Sequence, residues 1–417
     1  MRFVRSAFAS IVVFLIPASH AAERFVITDY GAVPDGRTLN TEAIQKAIDS
    51  AARKGGVVEI PKGTFLSGSI FLKQGVSLHV AKGGVLLGSN RIEDYPKRVT
   101  RIEGHFEPWR MALVNAQEMQ GVRIGGEGKI DGNGILFWAQ FWQRRKENPK
   151  CTNLEVERPR LMFIDRCDDV EIRDLTFRDS GFWNLHLYRC ANVRIEGLDI
   201  HAPTTGKILG PSTDGIDVDS SRDVTIRKCR ISVNDDNIAL KGSKGPLADK
   251  DTDSPPVENI LVEDCVFGDG NGMITCGSEA TKICNITVRG CRIEGNATAL
   301  TLKLRPDTPQ HYENILIEDI ELAGGGRIFN VAPWRQFFDL KGHPQPSRKV
   351  NNVTLRNIRG SFGSWGWLGG NPDDEIRDIT LENIDVRLKG RRLELGEVKR
   401  LSVRDVKVNG ETFEPGA

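Results

Sequence analysis

The chain has 417 residues, 39% hydrophobic and 27% charged, with 43 glycines and 19 prolines, an ordinary globular composition enriched in turn formers. With 57 Lys+Arg against 56 Asp+Glu the formal net charge is +1, which argues against nucleic acid as a partner, since binding by counterion release needs a coat of positive charge. An acidic ligand has to be recognised locally.

The first predicted element is a leader. Arg2 and Arg5 precede an apolar run over 8–16 and small residues at Ser19, Ala21 and Ala22, the layout of a secretory signal peptide over 1–22, cut after Ala21 or Ala22. The run is too short to span a bilayer, and no later stretch is long enough. The expectation is one domain over 23–417, secreted or periplasmic and with no membrane association. A cap and first coils occupy 23–90. They hold one predicted helix, 41–54, in which Asn40 stands at the cap position, Ile44, Ala47, Ile48 and Ala51 share a face, and Gly55-Gly56 ends the pattern.

Further along, Val170, Val193, Val224, Ile260, Ile286, Ile315, Val353, Ile379 and Leu401 each open a run of alternating apolar and polar residues, such as VTIRKCRI from Val224. That is strand periodicity. All but the last start are preceded by Asn or Asp, a turn residue at each strand entry. The starts are unevenly spaced, closest between Ile379 and Leu401 and furthest apart between Ile315 and Val353, as in a solenoid that lets out loops on chosen sides. A propeller blade needs about 40–45 residues, and the helical periodicity of a doubly wound α/β fold is missing between the strands. The fold class is therefore all-β: a single-stranded right-handed parallel β-helix with an N-terminal capping helix. Among eight cysteines, Cys229, Cys265 and Cys291 take one equivalent repeat position and read as buried free thiols. Cys167 with Cys190, and Cys276 with Cys284, leave one or two disulfides open.

Asp214 stands ahead of the pair Asp235-Asp236 by the same short step that separates Ile379 from Leu401. In a coil of about 22 residues, Asp214 and Asp236 lie in register on neighbouring coils about 4.8 Å apart, and Ile216 and Val218 match Ile238 and Leu240 at the same spacing. Three carboxylates then share one patch. Like charges this close repel, so the cluster either holds a cation or shares a proton. Proton sharing is what glycoside hydrolysis requires, an acid for the leaving oxygen and a base for water.

The ordered series Ser212-Thr213-Asp214-Gly215, Asp235-Asp236, Gly270-Asn271-Gly272 with Gly277-Ser278-Glu279, and Thr301-Leu302-Lys303 resembles the motif series of glycoside hydrolase family 28, the polygalacturonases: Asn-Thr-Asp, Asp-Asp, Gly-His-Gly and Arg-Ile-Lys. Residues 29–70 resemble that family's N-terminal cap, and IDGNG at 130–134 its first-coil signature. The resemblance implies a secreted pectin hydrolase, with oligo- or polysaccharide as partner and neither cofactor nor metal. It implies Asp235 as general acid, Asp214 and Asp236 holding the water, and inversion, with carboxyls about 6.5 to 9.5 Å apart. Three positions depart from the family: Ser212 stands for Asn, Asn271 for His and Thr301 for Arg.

The substrate-binding candidates are Lys303, Asn271, Glu279 and Arg305. Leu300, Leu302 and Leu304 alternate inward, which sends Thr301, Lys303 and Arg305 to the outer face two coils beyond the acids, where Arg305 is a candidate replacement for the missing Arg. Glu279 ends a Gly-Ser-Glu that resembles exo-acting members. Long insertions carry Phe137, Trp138, Phe141 and Trp142, then Trp334, Phe337 and Phe338, then Trp365 and Trp367, either sugar platforms or residues packing the loops on the barrel. Loops on both flanks favour a pocket and exo action by a monomer. Two other readings stay open: a β-helix lyase whose acids hold Ca²⁺ against a uronate, and a non-catalytic carbohydrate-binding solenoid.

Overall fold

The computed structural model describes residues 22–415, so the expected signal peptide lies outside the described residues except for Ala22. The chain winds as a right-handed parallel β-helix. The nine repeat starts stack in one column, Val170 beside Val193, then Val224, Ile260, Ile286, Ile315, Val353, Ile379 and Leu401. Inward-pointing Val and Ile from each rung build one continuous core, so each coil buries its apolar face only against its neighbours.

The Asn or Asp before each start has a local cause. Asp169, Asn192, Asp223, Asn259, Asn285, Asn314, Asn352 and Asp378 all take φ between 53° and 60°, the left-handed region that these residues tolerate best after glycine. Their side chains also stack: the Nδ2 of Asn285, Asn314 and Asn352 donates to the Oδ1 of Asn259, Asn285 and Asn314 at 3.2, 3.1 and 2.8 Å. Arg400 takes the same conformation at the last start, φ 59°.

All eight cysteines are free and buried. The open question of bridges is thus settled against them, and Cys229, Cys265 and Cys291 form the expected inward column.

The predicted helix is present as α1, Thr41–Ala51, with Ile44, Ala47, Ile48 and Ala51 fully buried over the first coils. Asn40 does not cap it by side chain. Its Oδ1 accepts from the Val33 amide (2.6 Å) and its Nδ2 donates to the Thr38 carbonyl (2.7 Å), so it fastens the preceding loop.

Two elements were not anticipated. A hairpin, β1 (Lys97–Ile102) and β2 (His105–Arg110), turns at Glu103-Gly104, both at positive φ, 42° and 79°, as a tight hairpin turn demands. The segment read as an aromatic loop contains α2, Ile135–Glu147, which buries Phe137, Trp138 and Phe141. Among the described residues no helix is long and apolar enough to cross a membrane.

Candidate active site

Six strands on successive rungs carry the site: β3 (Leu185–Tyr188), β4 (Ile216–Asp219), β5 (Ile238–Lys241), β6 (Gly272–Cys276), β7 (Thr298–Leu304) and β8 (Arg327–Pro333). Ile216 pairs with Ile238, and the Gly215 amide donates to the Asp236 carbonyl at 2.9 Å. Asp214 therefore stands beside Asp236 as the short repeat step requires, and one oxygen from each of Asp214, Asp235 and Asp236 lies within 4.8 Å of the others.

That is tighter than the separation expected between an acid and a base with water between them, about 6.5 Å at the least. The cause is backbone geometry: the rung spacing fixes Asp214 against Asp236, and chain adjacency fixes Asp235 against Asp236. The separation by itself therefore gives no support for inversion.

The three acids have different surroundings. Asp235 accepts from Asn271 Nδ2 at 2.9 Å and from the Asp236 amide at 3.0 Å. Burial, then the charges of Asp214 and Asp236, push its carboxyl from an ordinary 3.8 up to about 7, the range of a group that donates a proton near neutrality. Asp236 is fully buried; Thr275 Oγ1 donates to one of its oxygens at 2.8 Å and Lys303 Nζ to the other at 2.6 Å. Burial raises Asp214, and Lys241 pulls against the rise.

Lys241 was not foreseen. Its ammonium, nearly fully buried, stands 3.2 Å from Asp214 Oδ2 and 3.4 Å from Asp217 Oδ1, over the ring of Trp183 at 4.7 Å. Burial works to lower it, but Asp214 and Asp217 outweigh that and hold it well above an ordinary lysine. Asp217, fully enclosed, is itself raised by burial and by Asp214.

The other predicted residues fall as follows. Lys303 is two rungs from Asp236 on the outer face, as expected, with its ammonium 5.2 Å from the Trp334 ring. Asn271, in the place of the family's His, touches the proposed acid directly. Glu279 lies 3.9 to 4.0 Å from Lys244, Lys241 and Arg305; burial opposes its ionisation, but these cations carry its carboxyl below the usual range. Arg305 lines the same wall, with Nε and Nη2 bonded to the Asp307 carboxylate at 2.9 Å each and Nη2 also to the Phe337 carbonyl. Only its Nη1 is left for a ligand. Thr301 is buried, its hydroxyl 3.4 Å from the Asn271 carbonyl.

The hairpin decides the shape of the site. It lies over the outer faces of β3 and β4, where Arg101 from β1 is buried against Asp219, Nε to Oδ2 at 3.0 Å. Ile102 and Trp109 pack on Phe182 and Trp183, and Phe106 meets Tyr188 edge-on with ring centroids 5.6 Å apart. Beneath it His186 is fully buried, which takes its pKa down to about 3, and the neutral ring accepts at Nδ1 from Arg160 (2.7 Å).

The turn is pressed home: a Cβ at Gly104 would come 3.0 Å from the Gly242 carbonyl and 3.1 Å from Glu279 Cβ. Glu103 meets Lys244 at 3.6 Å. The hairpin tip thus forms one wall of the cavity, with Glu103 lining it together with Asp214 and Glu279.

The cavity so enclosed measures about 770 Å³ and holds all three acids. Of the aromatic candidates, Phe141, Trp142, Trp334 and Phe337 line it, together with the unforeseen Trp183. Phe137, Trp138 and Trp365 are core residues.

The pattern described as glycosyl hydrolases family 28 matches residues 55–406, and one described as rhamnogalacturonase A/epimerase, pectate lyase-like, matches 25–81. A probable polygalacturonase of Vitis vinifera is 33% identical over 227 residues, 52% of this chain and 43% of that relative's length. An exopolygalacturonase of Zea mays is 27% identical over 320 residues, 72% of this chain and 69% of the relative. The crystal structure of a hyperthermoactive exopolygalacturonase from Thermotoga maritima superposes with a TM-score of 0.78 at 24% identity, covering 94% of each chain.

Proposed function

Because the chain belongs to glycosyl hydrolase family 28, we propose that it removes sugars from one end of galacturonate-containing pectic chains. The observation that carries exo action is the β1–β2 hairpin, whose tip walls the cavity beside Glu279 and Lys244; in this reading it limits the substrate beyond the acids to a short chain end. The maize relative and the Thermotoga neighbour, both exopolygalacturonases, agree with this.

In the proposed reaction Asp235, protonated through most of the acid range by its raised pKa, gives its proton to the leaving glycosidic oxygen. Asp214 and Asp236 hold the attacking water. Asp236 suits that task better than covalent attack, because Thr275 and Lys303 engage one oxygen each and Lys303 damps its nucleophilicity. The same lysines bear on the lyase alternative: Lys303 and Lys241 supply positive charge 2.6 and 3.2 Å from the acids, where that reading needs a cation. The N-terminal layout over 1–22 supports export.

The test is a time course on pectic oligosaccharides of increasing length. Exo hydrolysis releases one small product from the first minutes, with slow loss of viscosity. Early accumulation of mid-sized fragments contradicts exo action, and an unsaturated ultraviolet-absorbing product contradicts hydrolysis.

A further inference from the structure

Four cations lining the cavity already have carboxylate partners: Lys241 with Asp214, Lys244 with Glu103, Lys303 with Asp236 and Arg305 with Asp307. Of the two cations lining it that have none among the described residues, Arg327 at the start of β8 is exposed, and the other is Arg145, on the last turns of α2. Among the described residues no carboxylate pairs with it, and its Nε is buried without a hydrogen-bond partner, although the side chain reaches the cavity. Its neighbours show that this is not a general feature of the helix end. Arg144 is paired with Glu155 at 2.8 Å, and Arg158 donates to the Pro211 and Asn153 carbonyls at 2.6 and 3.1 Å.

The wall that carries Arg145 is held in place from both sides. Trp142 Nε1 donates to the Leu209 carbonyl at 2.8 Å, and the Arg158 guanidinium lies over Phe141 at 4.3 Å. The Arg145 guanidinium lies over the Phe141 ring at 5.3 Å, and a planar guanidinium lining a cavity matches a carboxylate better than any neutral sugar group.

Resting on the hydrolase reading above, we infer that Arg145 binds the carboxylate of a terminal uronic acid residue, taking over the anchoring that Thr301 cannot supply. The enzyme then selects acidic over neutral or esterified chain ends through α2, not through the sheet.

The experiment compares wild type, Arg145→Gln and Arg145→Lys on oligogalacturonides whose non-reducing-end residue is either the free acid or its methyl ester. Calorimetric binding of galacturonate and of galactose runs alongside. Wild type should prefer the acid. Arg145→Gln should lose about 10- to 100-fold in kcat/KM on the acid, the worth of a charge-assisted pair, and little on the ester, and Arg145→Lys should keep part of the preference. Galacturonate should bind wild type and not Arg145→Gln.

Equal losses on acid and ester, or galacturonate binding that Arg145→Gln leaves unchanged, would overturn the assignment. A wild type that binds galacturonate through Arg145 but hydrolyses neither substrate would refute the hydrolase reading and leave this one standing.

Discussion

Replacing Asp235 by Asn removes the proton donor while keeping the acceptor for Asn271, so it isolates the acid function. With a carboxyl at about 7, Asp235 is about 99% protonated at pH 5, where an ordinary aspartic acid is only about 6 to 7% protonated. Activity should therefore hold through the acid range and fall as pH rises through about 7. Loss of a general acid costs on the order of 10²- to 10⁴-fold in turnover, or about 3 to 5 kcal/mol of barrier. The loss should be largest on natural glycosides, whose leaving oxygen needs the proton, and smallest on an aryl glycoside with an acidic phenol. Because the Asp214 charge does most, after burial, to raise Asp235, Asp214→Asn should lower the Asp235 pKa, readable by carbon nuclear magnetic resonance even in an inactive variant. The assay is kcat against pH on both substrate types. Turnover on the natural glycoside within threefold of wild type, or an alkaline limb near pH 7 that persists in Asp235→Asn, would refute the assignment.

Arg101→Ala should destabilise the protein by about 3 to 5 kcal/mol, since it strands the buried Asp219 carboxylate. Burial works to raise Asp219, but Arg101 and His186 hold it below the usual range, so the stability it contributes is present above about pH 4 and lost as pH falls; the gap between wild type and variant in urea melts should narrow in acid. Deleting the hairpin tip at 102–105 should shift early products from single small sugars towards mid-sized fragments, read by chromatography. Asn285→Ala should cost about 1 to 2 kcal/mol through the left-handed backbone and two lost amide bonds, and Asn285→Gly less, by denaturant titration. Reductant should leave the melting temperature unchanged, because the eight thiols are free.

Much of this site was legible because a solenoid converts sequence spacing into distance. Once the shortest step between coils was seen, Asp214 had to meet Asp236, and Lys303 had to face out two rungs away. Asn and Asp at strand entries marked the turns because few other residues accept that backbone. What escaped lay outside the repeat. The hairpin that walls the cavity is a single insertion whose Glu103-Gly104 turn lacks the usual Asn-Gly or Asp-Gly signal. The helix α2 starts after Gly134, with no side-chain cap; the aromatic face of Phe137, Trp138 and Phe141 was the available clue. Lys241 reads locally like any solvated lysine at a strand end, and only the hairpin's cover and Asp214's proximity make it a buried counter-ion. The nearest oxygens of the three acids lie closer than the expected acid-to-base separation because neighbouring rungs and adjacent positions hold them together.

The central claim is that Asp235 donates a proton while Asp214 and Asp236 direct a water at the same sugar. It is tested most directly by proton nuclear magnetic resonance of the anomeric signals in the first minutes of digestion of a pectic oligosaccharide. Direct attack by water predicts that the first-formed product carries the anomeric configuration opposite to the bond cleaved, with the original form appearing only later by mutarotation. A first product of retained configuration would mean that one of the aspartates attacks the sugar itself, and would contradict the account.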